Sequence, residues 1–388
     1  MRSARRIEQL PQYLFAALDK KVSEARSRGV DVISFGVGDP DRPTPAHIVE
    51  AASEALRDVS THQYPSYYGM ASFRAAIAAF YERRFSVKLD PDTQVLPLIG
   101  SKEGIAHLAT AYVDPGDAVL MPDPGYPVYE TTAILAGGTA TPLPLTEENG
   151  FRPDLSLIDE HVSDNSKVLW LNFPSNPTGA VCEPDLFTSA VKACARHDLL
   201  LAHDAAYSEI TFDGYVAPSV LSAPGALDHA IEFGSVSKTY NMTGWRVGWV
   251  AGAAQAIEAL GRVKTNIDSG IFNALQMAAI AALEGPQDCV AEMIDVYRVR
   301  RDKVVDALNS AGWLITAPKG SIYVWAGVPE GDTSASFCEF LLEKAGVVVA
   351  PGAGYGASGE GYVRFSLTVP DDRLDEGLDR ASSALKER

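Results

Sequence analysis

The residues of this chain best suited to chemistry lie in the segment 234–248, where a lysine is followed eight positions later by an arginine. Lys238 stands among small hydroxyl-bearing residues, and glycines on both sides let the backbone approach a ligand closely. We interpret Lys238 as a Schiff-base lysine, and Ser235 with Arg246 as a phosphate site. The alternative is a surface loop that carries two ordinary cations.

Polar segments that follow short apolar runs are the second signal. In an open parallel sheet, ligands collect just beyond the carboxyl ends of the strands. We therefore expect side chains that follow different strands to meet on one rim of the sheet. The segments that directly follow an apolar run are 100–104, 122–126, 174–179, 204–207 and 234–238.

Three residues of these segments suit the ring of a phosphorylated pyridine aldehyde. Asp204 would face the ring nitrogen and keep it protonated; because it follows a buried run, its carboxylate needs a cationic partner. The alternative for Asp204 is that it caps a following helix. Asn176 and Tyr207 would donate hydrogen bonds to the ring oxygen, although each also suits a turn or a core position.

Two further segments offer contacts to the same ligand. Ser101 and the backbone N–H of Lys102 open a helix directly after a strand, which predicts a second anion contact. Tyr126 would stack on the ring face, or pack as an ordinary aromatic residue after Pro-Gly.

The secondary structure that must position these residues can be predicted from the hydrophobic pattern of the sequence. Short apolar runs alternate with helical periodicity, which predicts an α/β fold with a mainly parallel, mixed sheet covered by helices on both faces. We expect strands near 95–99, 118–121, 168–173, 199–202, 231–233 and 247–251.

The two ends of the chain predict a second, smaller α+β domain. We expect helices over 6–29 and 288–311 and at the C-terminus, with strands over 31–35, 323–325, 347–350 and 362–367. The predicted division is a large ligand-binding domain at 45–284 and a small domain formed by 1–44 and 285–388.

Composition excludes several classes of partner. The chain has 388 residues, 46% hydrophobic and 21% charged, with a net charge of −17 that would repel nucleic acid and anionic membranes. Four scattered cysteines and seven histidines without ligand spacing predict neither a disulfide framework nor a metal site. No run approaches a membrane span and no signal peptide is evident, so we predict a cytoplasmic protein.

The segment 354–359 satisfies the glycine pattern of dinucleotide sites. It leads into a predicted strand and not into a helix, so we do not expect a dinucleotide there. A mobile loop beside the substrate is the preferred interpretation.

The order and spacing of the motifs resemble one enzyme family over essentially the whole chain. The chain resembles the class I/II aminotransferases among the fold-type I pyridoxal phosphate enzymes, which implies transfer of an α-amino group to a 2-oxo acid. The motifs are Ser175-Asn-Pro-Thr-Gly, Asp204-x-x-Tyr207, Ser235-x-Ser-Lys238 and Gly244-x-Arg246-x-Gly248.

This resemblance implies further site residues. Arg364 matches the arginine that holds the substrate α-carboxylate, a role that suits its planar fork. Gly38 matches the glycine of the N-terminal substrate loop. The family forms homodimers with shared sites, which implies that Tyr64 reaches the phosphate bound by the neighbouring chain.

A narrower resemblance is to the LL-diaminopimelate aminotransferase group, which uses glutamate and 2-oxoglutarate and serves lysine biosynthesis. Two positions depart from its expected pattern: Tyr68 stands for an acidic residue and Ala353 for an asparagine. The candidates for binding a distal carboxylate of the substrate are Lys102, Arg262, Lys264 and Asn266. The segments that carry the resemblance are 11–16, 62–67, 99–104, 122–129, 269–274 and 359–362.

Other functions stay open on the sequence alone. An aspartate-type, alanine-type or other aminotransferase would carry the same motifs, and so would a pyridoxal phosphate lyase or decarboxylase. A transcription regulator of this fold would need a DNA-binding domain ahead of residue 45, and the acidic charge disfavours DNA. The physiological donor, the direction of flux and any assembly beyond a dimer are not determined.

Overall fold

The computed structural model describes residues 2–11 and 14–388, with the side chains of 14–17 outside the description. The strands are β1 Ile33–Ser34, β2 Val95–Leu98, β3 Ala118–Asp123, β4 Thr139–Pro144, β5 Ser166–Asn172, β6 Leu200–Asp204, β7 Ala230–Ser235, β8 Gly248–Gly252, β9 Tyr323–Gly327, β10 Val347–Val348, β11 Ala350–Pro351 and β12 Tyr362–Ser366.

Helices separate most of these strands along the chain. They are α1 Arg5–Glu8, α2 Leu14–Ser27, α3 Ala46–Ala55, α4 Ala71–Phe85, α5 Ser101–Tyr112, α6 Val128–Ala136, α7 Ile158–His161, α8 Pro184–His197, α9 Ala226–His229, α10 Val236–Thr239, α11 Ala254–Thr265, α12 Asn273–Glu284, α13 Asp288–Ser310, α14 Ser334–Ala345 and α15 Asp371–Lys386. Among the described residues, none of these helices has the length and apolar character needed to cross a membrane.

The largest sheet has seven strands in the order β2-β8-β7-β6-β5-β3-β4. Its neighbouring strands are parallel except at β8, which runs antiparallel to both β7 and β2. The predicted fold class is thereby confirmed. The carboxyl ends of the six other strands share one rim with the amino end of β8.

The central strands of this sheet are apolar because they are covered on both faces. Every residue of β6, β7 and β8 is buried. One packing cluster contains Phe187 of α8 and Leu201 of β6, and a separate cluster contains Phe233 of β7 and Leu260 of α11. Continuous apolar runs of this kind are typical of parallel strands with helices on both sides.

The strand β4 was not predicted from the sequence. It lies at the edge of the sheet beside β3, and only Leu143 of its residues is buried. Two threonines and two prolines within it hid the apolar signal.

A smaller unit contains a three-stranded antiparallel sheet, β11-β12-β9, and the parallel pair β1-β10. Its apolar cluster includes Phe35, Tyr297, Trp313, Phe337 and Phe365. The ends of the chain thus pack together as an α+β unit. The boundaries at 45 and 284 stay a prediction.

Two predicted elements are wrong in their continuity. The single helix over 6–29 is divided into α1 and α2, with Pro11 between them; proline lacks the N–H that a helix interior needs and disfavours helical backbone just before it. Residues 12 and 13, which belong to the segment 11–16, lie outside the described residues. The single strand over 347–350 is divided into β10 and β11, which join different sheets.

Candidate active site

A cavity of about 370 Å³ opens at the rim where β5, β6 and β7 end. Most of the residues predicted from the sequence line it, although they come from separate segments of the chain. These lining residues are Gly38, Ser101, Lys102, Tyr126, Asn176, Asp204, Tyr207, Ser235, Lys238 and Arg246. Of the predicted site residues, Arg364 and Tyr64 are not among the lining residues.

Lys238 lies on the short helix α10, directly after β7. Its Nζ donates a hydrogen bond to the carbonyl oxygen of Gly38 at 2.5 Å. Burial lowers the pKa of the Lys238 ammonium, and nearby Tyr323 and Asp39 oppose this shift. Lys238 therefore loses its proton more readily than an exposed lysine, as a nucleophile or base must.

Asp204 is the last residue of β6 and is only 5% exposed. Its Oδ2 accepts a hydrogen bond from the hydroxyl of Tyr129 at 3.0 Å, and its Oδ1 accepts one from the N–H of Ala206 at 3.4 Å. Burial raises the pKa of the Asp204 carboxyl, because these neutral donors only partly offset the loss of water. A cation in the cavity would stabilise the ionised carboxylate.

The helix-cap alternative for Asp204 is wrong. The backbone after Asp204 forms a turn, and the Oδ1 contact closes a local turn across two residues. The carboxyl group is thus presented to the cavity, which it lines.

Another part of the cavity wall carries the groups of a candidate anion site. Ser101 begins α5, and Ser235 Oγ accepts a hydrogen bond from the N–H of Ser237 at 3.1 Å. Arg246 Nη1 donates to the carbonyl oxygen of Thr243 at 2.8 Å. A helix N-terminus, hydroxyl groups and a guanidinium together suit a phosphate.

Gly100 lets Arg246 approach this site. Gly100 has φ of +77°, and a Cβ at this position would lie 2.3 Å from Arg246 Nη2. Any larger residue would displace the guanidinium. The antiparallel direction of β8 brings Arg246, which precedes the strand, to the same rim as Ser235.

Tyr207 and Asn176 also line the cavity and contact residues of the smaller unit. The hydroxyl of Tyr207 is 3.1 Å from the hydroxyl of Tyr323. Burial holds the pKa of the Tyr207 phenol well above its usual value, so the group stays protonated and able to donate. Asn176 Oδ1 accepts a hydrogen bond from Arg364 Nη1 at 2.7 Å.

Arg364 lies on β12 with no exposed surface. Its Nη2 donates to the carbonyl oxygen of Gly36 at 2.7 Å, and its guanidinium lies 3.9 Å from the ring centroid of Tyr323. Arg364 therefore joins the cavity wall through Asn176 and Tyr323. Its predicted contact with a substrate carboxylate stays a prediction.

Tyr64 lies away from the cavity of its own chain and is 87% exposed. Its predicted contact with the phosphate of a neighbouring chain stays a prediction. Tyr68 is half exposed and lies against α11, where a Cβ at Gly261 would come within 2.9 Å of its ring.

Lys264 is wrong as a candidate for binding a distal carboxylate. Its side chain is 1% exposed, and its Nζ lies 3.1 Å from Glu103 Oε1 and 2.9 Å from Asp268 Oδ2. Oxygen and nitrogen ligand atoms of Glu103, His107 and Asp268 lie within 4.8 Å of one another. The ammonium of Lys264 already supplies the positive charge that this cluster requires. Arg262 and Asn266 are exposed on or next to α11, and among the four candidates Lys102 lines the cavity.

The segment 354–359 is held against the large sheet, where the sequence predicted a mobile loop. The N–H and hydroxyl of Ser358 donate to Asp123 Oδ1 and Oδ2, each at 3.1 Å. The N–H of Gly125 donates to the carbonyl oxygen of Tyr355 at 2.8 Å. The segment then leads into β12 and not into a helix, in agreement with the rejection of a dinucleotide site.

Sequence reasoning missed Tyr129, which contacts a cavity residue, and several residues that line the cavity. Tyr129, which donates to Asp204, stacks on Trp170 with ring centroids 4.6 Å apart. Ser237 and Thr243 lie within the segment that contains Lys238, so their position in sequence could have indicated them. The other missed lining residues are Val37, Asp39, Ala206 and Tyr323.

Comparison with known proteins gives a consistent family match. The family model of aminotransferase class I and II matches residues 30–380. An LL-diaminopimelate aminotransferase from Desulforudis audaxviator is 56% identical over 382 residues, which cover 98% of this chain and 97% of that protein.

Solved structures show the same architecture. Substrate-bound BacF from Bacillus subtilis superimposes with a TM-score of 0.94 at 36% identity, covering 99% of this chain and 98% of that one. A single-substitution variant of aspartate aminotransferase from Thermus thermophilus superimposes with a TM-score of 0.93 at 28% identity, covering 99% and 100% of the two chains.

Proposed function

The chain belongs to the class I and II aminotransferases, and we propose that it transfers the α-amino group of LL-diaminopimelate to 2-oxoglutarate. Its general reaction is a transamination and its cofactor is pyridoxal phosphate. The observation that carries the proposal is the cavity itself. A lysine with a lowered pKa, a buried carboxylate and an anion site line one space of about 370 Å³.

The residues of the cavity fit this cofactor. Asp204 has only neutral hydrogen-bond donors among its described contacts, so a protonated ring nitrogen would supply the positive charge that burial makes necessary. Ser101, Ser235 and Arg246 would bind the phosphate, with the N–H of Lys102. Tyr207 and Asn176 would donate to the ring oxygen, and Tyr126 would lie against the ring.

Different side chains are proposed to transfer the proton and to orient the substrate. Pyridoxal phosphate supplies a ring that withdraws electrons from the substrate Cα. Lys238 would hold the cofactor through its Nζ, and the same Nζ, when released, would take the Cα proton and hold it for return. Burial lowers the pKa of the Lys238 ammonium, so Nζ gives up its own proton more readily and becomes free to accept another. Arg364 would orient the substrate by binding its α-carboxylate, a role that suits the planar guanidinium.

LL-diaminopimelate is proposed as substrate because the 56% identical relative bears that activity in its name and matches nearly the full length. The position of Tyr68 favours a second candidate, an aspartate-type or related amino-acid aminotransferase. Its aromatic ring is half exposed and cannot pair with the distal ammonium of diaminopimelate as a carboxylate would. A pyridoxal phosphate β-lyase would remove the same Cα proton and then expel a group from Cβ, whereas a decarboxylase would break the bond from Cα to the carboxylate.

A donor screen separates these candidates. The purified protein loaded with pyridoxal phosphate is incubated with 2-oxoglutarate and LL-diaminopimelate, aspartate, alanine or an aromatic amino acid, and glutamate formation is measured. We expect LL-diaminopimelate to give a kcat/KM at least about tenfold above the other donors. A higher value with aspartate would favour the second candidate, and keto-acid release over many turnovers without 2-oxoglutarate would indicate a lyase.

The homodimer is also part of the proposal. Val59 is 75% exposed and Tyr64 87%, on a segment that contacts the one containing Ile267, which is 62% exposed. The two segments touch at Gly270, where a Cβ would lie 2.7 Å from the carbonyl oxygen of Ser66. Apolar and aromatic side chains gathered on one surface favour association with another protein. A second copy would cover them and bring Tyr64 to its neighbour's phosphate.

Mixing two inactive variants tests this arrangement. Lys238→Ala and Tyr64→Ala subunits are unfolded together, refolded and assayed. If Tyr64 acts across the interface, one site of each mixed dimer is intact, and activity recovers to about a quarter of the wild-type value. No recovery would place Tyr64 in its own chain's site, and a Tyr64→Ala variant that is active by itself would place Tyr64 outside catalysis.

A cytoplasmic location is proposed as well. It is supported by four cysteines that are all free, since disulfides are rare in reducing compartments. Fractionation of the cells that produce the protein, with immunodetection, tests it.

A further inference from the structure

Tyr323 occupies a junction in the cavity wall to which the sequence assigned no role. It is the first residue of β9, it lines the cavity, and it is only 3% exposed. Three predicted site residues, Tyr207, Arg364 and Gly38, touch it from different parts of the chain. The side chain of Tyr323 thus contacts both Tyr207, which is proposed to bind the cofactor ring, and Arg364, which is proposed to bind the substrate.

The hydroxyl of Tyr323 lies 3.1 Å from the hydroxyl of Tyr207, and either group could donate. A phenol has a single proton, so Tyr207 can donate to a ligand only if it does not donate to Tyr323. Donation from Tyr323 leaves the Tyr207 proton available and strengthens it as a donor, because linked hydrogen bonds polarise one another. Burial keeps the pKa of Tyr207 high, so that proton is retained.

The ring of Tyr323 supports Arg364. The guanidinium lies 3.9 Å from the ring centroid, at a site without exposed surface, where a cation–π contact is strongest. Two hydrogen bonds, to Asn176 and to the carbonyl of Gly36, hold the guanidinium in this position.

The backbone of Gly38 fixes Tyr323 from a third direction. A Cβ at Gly38 would lie 2.1 Å from the Tyr323 hydroxyl, so the glycine leaves just enough space for this side chain. The carbonyl oxygen of the same glycine accepts from Lys238 Nζ at 2.5 Å.

We propose that Tyr323 is a positioning residue that fixes two groups together. Its hydroxyl donates to Tyr207 and so directs the Tyr207 proton to the cofactor's ring oxygen. Its ring holds the Arg364 guanidinium where the substrate α-carboxylate binds. This inference rests on the proposed function, because both groups are taken to act on an amino acid bound with pyridoxal phosphate.

Two variants of Tyr323 separate these two contacts. Tyr323→Phe keeps the ring and removes the hydroxyl, whereas Tyr323→Met removes both and keeps much of the side-chain length. The first measurement is the pH midpoint at which the visible absorption band of the cofactor-loaded protein changes. The second is the KM of the amino-acid donor that is most active with the wild type.

We expect Tyr323→Phe to raise the pH midpoint by about half a unit, because Tyr207 becomes a weaker donor to the ring oxygen. Its KM should stay within about twofold of the wild-type value, since the ring remains. Tyr323→Met should shift the midpoint similarly and raise KM about tenfold. If the midpoint of Tyr323→Phe equals that of the wild type, the proposed role of the Tyr323 hydroxyl is wrong. If the KM of Tyr323→Met is unchanged, the proposed role of the Tyr323 ring is wrong.

The background Tyr207→Phe tests whether the hydroxyl acts through Tyr207. In this background, the additional change Tyr323→Phe should leave the midpoint where it is; a further shift of equal size would contradict the proposal. Tyr297→Phe is the matched control, because Tyr297 is a buried tyrosine of the same apolar cluster whose hydroxyl has no partner among the described residues. It should change neither measurement.

Folding and function are checked separately. Circular dichroism and thermal melting establish that each variant is folded; if Tyr323→Met is not, Tyr323→Leu replaces it in the KM measurement. A wild-type protein without any visible band would contradict the proposed function itself. A wild-type band together with unshifted Tyr323 variants would contradict only the role of Tyr323.

Discussion

The cavity has two walls that are built in different ways. On the large sheet, Asp204 and Ser235 are the last residues of β6 and β7, and Lys238 follows within one helical turn. On the smaller unit, Gly38 and Arg364 are far apart in sequence and meet through contacts such as the hydrogen bond from Arg364 to Gly36. The first wall is fixed by strand ends, and the second by tertiary packing.

Charged contacts hold the second wall in place. Arg300 is buried on α13 and donates to both carboxylate oxygens of Asp41, at 2.7 and 2.9 Å, and to Asp371 Oδ1 at 2.7 Å. The bonds to Asp41 fix the chain three residues after Gly38. We expect the sheet wall to determine which reaction occurs and the second wall to bind the α-carboxylate of the amino acid.

The largest expected effect is on the sheet wall, at Lys238. Lys238→Ala removes the nucleophile and base together, so kcat/KM should fall at least about 10⁴-fold, and the visible band characteristic of the lysine-linked cofactor should disappear. Enzyme kinetics and absorption spectra check this. Lys192→Ala, at an exposed position of α8, should behave as the wild type. Near-normal turnover in Lys238→Ala would refute the assignment of the reaction to this wall.

Asp204→Asn should lower kcat/KM about 10² to 10³-fold, because a neutral amide no longer stabilises positive charge on the ring. The same change should stabilise the cofactor-free protein. Burial raises the pKa of Asp204 above its ordinary value of 3.8, so ionisation destabilises the fold as the pH rises through that pKa.

Thermal melting of the cofactor-free proteins checks the second effect. The Asp204→Asn variant should melt at a higher temperature than the wild type at pH 7. The difference should vanish below about pH 4, where the carboxyl is protonated in both the folded and the unfolded chain. A lower melting temperature at pH 7 would mean that the carboxylate is not a destabilising group.

On the second wall, Arg364→Lys should raise the KM of the amino acid about 30-fold, since lysine keeps the charge and loses the bidentate fork. The visible band of the bound cofactor should be unchanged. Steady-state kinetics with varied donor, together with spectra, separate the two effects. Arg196→Lys, at an exposed position of α8, is the control. Loss of the band in Arg364→Lys would show that the two walls are not separable.

The smallest effect is expected at the contact between Asp123 of the large sheet and Ser358 of the smaller unit. Asp123→Asn removes one acceptor for Ser358 and should raise KM about three- to fivefold by loosening the segment 354–359 beside Arg364. Asp154→Asn is a matched control, because Asp154 accepts from the N–H and hydroxyl of Ser156 in a similar way at an exposed site. Equal kinetics for both variants would show that this contact does not position the substrate.

The sheet wall could be predicted because its geometry is local. A strand covered on both faces is a short apolar run, and the residue after that run lies on the rim, which sufficed for Asp204 and Lys238. The second wall could not be predicted in this way. Tyr207 and Tyr323 are 116 residues apart, and nothing in either local sequence indicates that their hydroxyls meet.

The dependence on tertiary packing also explains why Lys264 was wrongly proposed as a substrate ligand and why the strand β4 was not predicted. Lys264 looked available to a substrate because its ion pair with Glu103 depends on how α11 packs against α5, although its pair with Asp268 is a local contact across four residues. The strand β4 was missed because an edge strand lacks the continuous apolar run of a central one. Burial of a charge and exposure of a strand are properties of the assembled sheet.

The reversed direction of β8 limits how the gene for this chain can tolerate insertions. The connection 236–247 leaves the rim after β7 and returns to it before β8, with Lys238 near one end and Arg246 near the other. A parallel β8 of five residues would have put Arg246 about 16 Å away, at the far edge of the sheet. Extra residues between Lys238 and Arg246 would change the distance between the reactive amine and the phosphate site. Added residues near Gly214, where a Cβ meets nothing within 4 Å, would leave that distance unchanged.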